Sequence, residues 1–225
     1  MPNHVTNRVI VTGPPARVEA FLEKHIGKAR EDETHLDFET IVPMPEFLSS
    51  FDADPKSKEA GAAAALGLLD RHSTQNVIRY VAKERPEISS REKLLDLMRA
   101  EAPEAIERIV EFHLARIASG LSDWYSWRID KWGTKWNSYS FNADVEPGRA
   151  EMTFDTAWSF PLPIMQRLAE TWPDLTFDCA CFDEGHGFSG SGKFNGEPPF
   201  EIRNADPDDY EAVHGHPIEE DEDED

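Results

Sequence analysis

Residues 139–183, YSFNADVEPGRAEMTFDTAWSFPLPIMQRLAETWPDLTFDCACFD, decide the fold of this chain. They open with two runs of alternating apolar and polar residues, and Pro147-Gly148 separates these runs. Alternation with a period of two is typical of half-buried strands, so the pattern predicts a β-hairpin. A helix ended by Pro173 follows, and residues 175–182 predict a further strand.

The N-terminal residues supply the other half of the pattern. Residues 4–12 alternate like a strand, the next helix carries one apolar stripe, and residues 36–42 predict a second strand closed by Pro43. Two β-α-β units in this order predict an α+β fold, the split β-α-β or ferredoxin-like topology, with an antiparallel sheet and two helices on one face. Extra strands are expected at the hairpin and near the C-terminus. The name implies no iron–sulfur cluster, because two cysteines are too few to hold one.

A helical segment interrupts this pattern. We predict one domain over residues 1–205, with a helical insertion at about 56–121 that is rich in Ala, Leu, Glu and Arg. Its helices are expected at about 56–71, 74–84, 90–101 and 103–118. Ser89 and Glu92 have the spacing of a capping box at the third of them. The fourth carries an apolar stripe: Ile106, Ile109, Val110, Leu114 and Ile117.

Acidic residues are concentrated at the C-terminus. The formal net charge is −21, and residues 206–225 carry eleven Asp and Glu and no Lys or Arg. Such a segment repels itself and buries little, so it predicts a flexible, disordered acidic tail. Such a tail is consistent with two roles: it increases the solubility of the protein, or it makes electrostatic contact with a basic partner. We expect no direct binding to nucleic-acid phosphate, because that requires a basic surface that releases counterions.

The sequence also predicts where the protein works. No apolar run approaches the roughly 18 residues of a membrane span, and no secretory signal is visible at the N-terminus. Cys179 and Cys181 lie too close together for an ordinary disulfide. We therefore expect a cytoplasmic protein with reduced cysteines and no membrane partner.

Several short motifs resemble sites of chemistry. Residues 187–194, GFSGSGKF, nearly match a phosphate-binding loop, but Phe194 replaces the metal-binding hydroxyl and no helix can follow, which favours a glycine-rich turn. Cys179 and Cys181 face the same way on a strand, and ordinary buried cysteines are favoured over a metal site. Asp183 and Glu184 are an acidic pair at a strand end. We predict no cofactor and no metal.

The aromatic segment 124–139, WYSWRIDKWGTKWNSY, holds four of the six tryptophans. Ser122 and Asp123 are suited to cap a short helix from Trp124 to Lys131, and Gly133 is suited to end it. One interpretation is that the rings attach the insertion to the sheet. The other is a partly open aromatic groove lined by Lys135, Asn137 and Trp158, which has the composition of a recognition surface.

Four segments together resemble the YubB-type ferredoxin-like family: MPNHVTNRVIVTGP, WYSWRIDKWGTKWNSY, FDTAWSFPLPIMQRLAETWPDLTF and FDEGHGFSG. The resemblance covers about 1–45 and 122–196, and the most specific motifs are W-G-T-K-W-N and T-A-W-S-x-P-L-P. It implies a ferredoxin-like sheet with a variable helical insertion, in proteins of plasmids, phages and other bacterial mobile elements. It implies no known activity and transfers no catalytic residue.

Two functions remain open at this point. The first is a non-enzymatic protein-interaction module whose partner is another protein, such as a host defence or replication factor. The second is a protein that binds a small molecule or nucleotide, and is an enzyme if it acts on that ligand, through residues 124–139 and the glycine-rich loop 185–196. The sequence leaves the oligomeric state open. The candidate binding residues are Trp132, Gly133, Thr134, Lys135, Trp136, Asn137, Trp158, Asp183 and Glu184.

Overall fold

The computed structural model describes residues 3–30, 33–49, 54–121 and 123–218. The chain divides into two compact units. The first comprises the residues up to Pro43 and those from Arg128 onward, and the second comprises Met44–Trp127.

The strands are β1 (His4–Thr12), β2 (Ile26–Arg30), β3 (Glu33–Leu36), β4 (Tyr139–Glu146), β5 (Arg149–Ala157), β6 (Thr176–Asp183), β7 (Ser189–Phe194) and β8 (Glu201–Arg203). The α-helices are α1 (Pro15–His25), α2 (Glu46–Ser49), α3 (Lys58–Leu66), α4 (Arg71–Val81), α5 (Arg91–Glu101), α6 (Pro103–Ser119), α7 (Trp124–Trp132), α8 (Leu162–Thr171) and α9 (Pro207–His214).

The first unit is built on an antiparallel sheet with the strand order β4-β5-β1-β6-β7-β8. Strand β1 lies in the middle and pairs with β5 on one side and β6 on the other. The order of β4, β5, β1 and β6, with α1 after β1 and α8 after β5, is the ferredoxin-like topology that the sequence predicts. Strands β7 and β8 extend the sheet beyond β6, so the prediction of extra strands is also confirmed.

Alternation along β1 separates the two faces of the sheet. Val5, Val9 and Val11 have no exposed surface and lie on the same face as α1 and α8, whose residues Phe21 and Leu168 are equally buried. His4, Thr6, Arg8 and Ile10 face the other way and are half-buried. Burial of large apolar side chains on one face is the main force that holds the helices to the sheet.

A buried histidine completes this helix-covered core. His25, 1% exposed, accepts a hydrogen bond at Nε2 from the Trp172 indole at 3.1 Å, and its Nδ1 lies 2.8 Å from Thr40 Oγ1. Phe21 packs against both rings. Burial, with Lys24 nearby, lowers the pKa of His25 from 6.5 to about 4, so the folded protein holds this side chain neutral at pH 7.

The prediction of a strand over residues 36–42 is wrong. β3 ends at Leu36, and a 3₁₀ turn covers Phe38–Thr40. The cause is local capping, because the Asp37 side chain accepts from Glu39 N at 3.1 Å and the Phe38 N–H donates to Asn137 Oδ1 at 2.9 Å. Among the described residues, β3 pairs with β2 alone, in a separate two-stranded sheet, and β4 takes the predicted place in the main sheet.

The second unit is helical, as the sequence predicts. Helices α5 and α6 lie at the predicted positions, whereas α3 ends five residues before its predicted end at 71 and α4 begins three residues before its predicted start at 74. The four helices share a core that includes Leu94 and Ile109, both without exposed surface. The predicted cap of α5 is shifted by one residue, since Ser90 rather than Ser89 accepts from Lys93 N at 3.4 Å. The predicted stripe on α6 is only partly buried, and its C-terminal members are exposed: Val110 by 40%, Leu114 by 59% and Ile117 by 65%.

The acidic segment from residue 206 begins with a helix, α9, so the prediction of a flexible tail is wrong for residues 207–214. Asp206 caps α9 by accepting from Asp208 N at 3.0 Å. Val213 and Tyr210 pack on Phe182, on the sheet face opposite α1 and α8.

Residues 219–225, which carry the acidic run EDEDED, lie outside the described part of the chain. Among the helices described, none has the length and apolar content needed to cross a bilayer.

Candidate interaction site at the strand ends

Three of the predicted site residues build the fold instead of a surface. Trp132 has no exposed surface, donates from Nε1 to the Val42 carbonyl at 2.8 Å, and packs edge-on against Phe38. Gly133 ends α7 with a φ of 79°, and a side chain there would meet Pro163 Cδ at 2.7 Å. Thr134 is buried, and its hydroxyl bonds both the carbonyl and the amide of Ala157.

Two further predicted residues hold loops together. Asn137 accepts at Oδ1 from Phe38 N at 2.9 Å and donates from Nδ2 to Asp37 Oδ1 at 2.8 Å, so it connects two distant parts of the chain. Asp183 is 4% exposed, and its carboxylate accepts from the Asn3 amide and from Gly187 N. These hydrogen bonds give both residues a structural role in the loops that they connect.

The remaining aromatic and basic residues form a surface that we name the tryptophan patch: Lys135, Trp136 and Trp158. Lys135 Nζ lies 5.0 Å from the centre of the Trp136 ring and 5.7 Å from that of Trp158. A cation within about 6 Å of a ring face is attracted by the negative charge of that face. The lysine ammonium therefore attracts both indoles, and Trp158 remains 46% exposed.

Trp158 has an unusual backbone for a bulky residue. Its φ is 74°, in the left-handed region that large side chains rarely adopt. Its N–H donates to the Asn3 carbonyl at 2.9 Å, directly after the end of β5. Such a conformation costs on the order of 1–3 kcal/mol, and it persists only where the surrounding structure imposes it. Trp158 thus combines a strained backbone conformation with a side chain that remains partly exposed to solvent.

A polar cluster adjoins the patch at the same ends of the strands. His4 Nδ1 and Tyr139 Oη are 2.7 Å apart, and Glu184 accepts from His4 N at 2.7 Å. Trp136 packs edge-on against Tyr139, which joins the patch to this cluster. Burial, with Asp155 and Glu184 nearby, raises the pKa of Tyr139 to about 12, so its hydroxyl stays protonated and can both donate and accept. Glu184 is the predicted acid that remains exposed.

The sequence does not indicate His4 or the Tyr139 hydroxyl as site residues. Both lie in strands, as the alternation predicts, and their pairing depends on β1, β4 and β5 lying side by side. The available signal was the alternation, which places His4 on the face opposite Val5. Nothing local to either residue indicated the other, 135 positions away.

The motifs that resemble catalytic sites are structural. Residues 189–194 of the glycine-rich stretch form β7, and His186 and Gly187 lie in the turn before it, as the reading of a turn predicts. Cys179 and Cys181 are free and buried on β6. Burial raises the pKa of both thiols, that of Cys181 to about 12, so neither is a thiolate at neutral pH. Within the described residues, no group of three or more His, Cys, Asp or Glu has the arrangement of a metal site.

Comparison with known proteins agrees with the fold. Residues 131–224 match the model of a family described as a ferredoxin-like domain in Api92-like protein. The crystal structure of the protein api92 from Yersinia pseudotuberculosis aligns with a TM-score of 0.47 and 11% sequence identity, over 92% of this chain and 100% of that chain. No curated protein matches the sequence. The family match confirms the ferredoxin-like character implied by the resemblance, and the YubB-type family name and the mobile-element setting remain predictions.

Proposed function

We propose that this chain is a non-enzymatic interaction module that recognises another protein through the tryptophan patch. The observation that carries the proposal is Trp158, a strained residue that is 46% exposed and lies beside Lys135. Tryptophan is enriched among the residues that dominate binding energy at protein interfaces, because it buries a large area with little loss of side-chain entropy. Trp158 keeps its indole partly exposed to solvent although its backbone conformation costs free energy. This combination is consistent with selection for binding.

The neighbouring groups support a protein partner. The patch combines two indoles and an ammonium group with the polar atoms of His4, Tyr139 and Glu184 at its border. An aromatic centre with a polar rim is the usual composition of a protein interface. Asp183 is buried and accepts from Gly187 N, and the two cysteines are free and buried on β6. In the mobile-element setting that the resemblance implies, the partner is a host defence or replication factor.

Affinity capture with a matched pair of variants tests this function. Trp158→Asn removes the ring and suits the backbone, because asparagine tolerates positive φ. Ile202→Asn is the control, since Ile202 is 48% exposed on the opposite edge of the sheet. We expect a partner captured by the wild type and by Ile202→Asn to be lost with Trp158→Asn, and its dissociation constant to rise about 30-fold or more, as for an interface hot spot.

The opposite result is equally informative. If every partner of the wild type also binds Trp158→Asn with unchanged affinity, the patch is not the recognition surface. Thermal unfolding of both variants provides the folding control. Trp158→Asn is expected to unfold within a few degrees of the wild type, because relief of the strained φ offsets the lost contacts of the half-exposed ring.

A cavity of about 510 Å³ favours small-molecule binding as a second candidate. It lies between β3 and the start of β4, and its lining includes His35, Ser138 and Tyr139. His35 Nδ1 is buried without a hydrogen-bond partner among the described residues, so a polar ligand atom there would satisfy it. The lining contains no residue from the glycine-rich loop 185–196, which therefore does not support the predicted ligand site.

Thermal-shift screening tests this second candidate. A ligand at 100 times its dissociation constant adds about 2.7 kcal/mol to the unfolding free energy. We expect a nucleotide or metabolite that stabilises the wild type to lose its effect with His35→Phe, while Trp158→Asn leaves that effect unchanged. Stabilisation that survives His35→Phe would place the ligand elsewhere.

A further inference from the structure

A groove lies between α1 and the second half of β4, at the opposite end of the β4–β5 hairpin from the tryptophan patch. Its volume is about 450 Å³. The residues that line it are Pro15, Val18, Glu19, Leu22, Glu23, Val145, Glu146, Pro147 and Gly148. Val145 pairs with Ala150, which is buried under the helices, yet Val145 itself is 54% exposed. The helix layer therefore stops short of β4 and leaves an apolar side chain in water.

The groove is preformed. Gly13, just before α1, donates its N–H to the Gly148 carbonyl at 3.1 Å, which ties the β4–β5 turn to the start of the helix. Gly148 has a φ of 81°, and a side chain there would meet the Gly13 carbonyl oxygen at 2.9 Å. Because both walls are fixed to each other, an occupant would not have to order them, and binding would lose less entropy.

One wall of the groove is an edge strand with an open side. Among the described residues, β4 pairs in the sheet with β5 alone. Its outer backbone groups beside the groove are thus available to another strand. Addition of a strand to such an edge is a common mode of peptide recognition, in which main-chain hydrogen bonds give affinity and alternate side chains enter pockets. From Ala143 to Glu146 the edge accommodates roughly four residues of an extended segment.

The charges around the groove select the occupant. Its lining contains three exposed glutamates, Glu19, Glu23 and Glu146, and no lysine or arginine. Arg149, opposite Glu146 in the β4–β5 register, forms an ion pair with Glu151 and also offsets the charge of Glu146, so Glu19 and Glu23 on α1 carry the acidic character of the groove. A second copy of this chain, with a formal net charge of −21, would bring more negative charge to an acidic site.

We infer that this groove binds an extended basic segment of a partner protein, which adds as a strand to β4. An apolar side chain of the segment covers Val145 and Leu22, and lysine or arginine side chains on either side of it face Glu19 and Glu23. The inference does not depend on the tryptophan patch, since the two surfaces share no residue.

Selection from a random dodecapeptide library displayed on phage tests the inference with the full chain as bait. We expect enriched peptides to be rich in Lys and Arg around apolar residues, with perturbed amide NMR signals in α1 and β4. Val145→Lys and the double variant Glu19→Lys, Glu23→Lys should each weaken a synthetic enriched peptide about tenfold or more, because both place like charges together. Ile202→Lys on the other edge strand and Trp158→Asn should leave that affinity unchanged.

Two outcomes would overturn the inference. One is no enrichment over the naive library, or enriched peptides that bind Val145→Lys as tightly as the wild type. The other is a dimer in light scattering that Val145→Lys dissociates, which would make a second copy the occupant. Loss of partner capture by Trp158→Asn with intact peptide binding would show that the two surfaces act separately.

Discussion

At the scale of single residues, the aromatic segment divides according to which side chains have partners in distant parts of the chain. Helical spacing correctly predicts α7, and the Asp123 side chain accepts from Ser126 N as a cap, while Ser122 lies outside the described residues. Spacing cannot predict that Trp132 meets the Val42 carbonyl or that Trp158 remains in water. Those outcomes depend on strands that the local sequence does not contain.

The hydrogen bonds of Asn137 predict the effect of its replacement on stability. Its replacement by alanine leaves the Phe38 N–H without its partner and removes one of the two hydrogen bonds that Asp37 Oδ1 accepts, while the bond from Glu39 N remains. An unsatisfied buried group costs about 1–3 kcal/mol, so we expect Asn137→Ala to lower the unfolding free energy by about 1–3 kcal/mol. Urea denaturation followed by tryptophan fluorescence measures this change. Asn142→Ala, at an exposed position of β4, should change it by less than about 0.5 kcal/mol, and equal effects would contradict the assigned role.

At the scale of secondary structure, the sequence correctly predicts those elements whose apolar–polar pattern is complete within their own residues. β1, α1, the β4–β5 hairpin, α8 and β6 all have a clear period and clear ends. The turn at Phe38–Thr40 was predicted as a strand because its apolar residues fit one, whereas Asn137 satisfies its backbone from 99 positions away. α9 was missed because its composition is acidic, and its stability comes from apolar residues that meet Phe182.

The attachment of α9 to the sheet predicts the effect of replacing Asp209. Asp209 is 2% exposed, and its carboxylate accepts from Ser189 Oγ and from Arg203 Nη2, each at 2.6 Å. In Asp209→Ala the arginine regains water, so the expected loss is about 1–2 kcal/mol and is confined to the helix. Hydrogen exchange of the amides in 207–214 should accelerate about tenfold, while that of β1 stays slow. Asp208→Ala in the exposed first turn is the control, and acceleration there of equal size would argue against the buried carboxylate.

At the scale of the whole molecule, His25 predicts how stability depends on pH. Its pKa is about 4 in the folded protein and near 6.5 when unfolded, so the unfolded chain binds more protons between these values. Stability from this group is therefore complete above about pH 6.5 and is lost as the pH falls toward 4. Between pH 7 and pH 5 the expected loss is about 2 kcal/mol. Urea denaturation at both pH values measures it, and a loss of the same size in His25→Gln would exclude His25 as the source.

The ferredoxin-like unit is discontinuous in sequence, and this has a consequence for biosynthesis. β1 occupies residues 4–12, whereas its partners β5 and β6 lie at 149–157 and 176–183. A ribosome adding about 5–20 residues per second needs on the order of ten seconds to reach them. The helical unit, contiguous from Met44 to Trp127, is completed first. The nascent chain thus carries its central strand unpaired during that interval, when chaperones that bind exposed apolar segments are expected to limit aggregation.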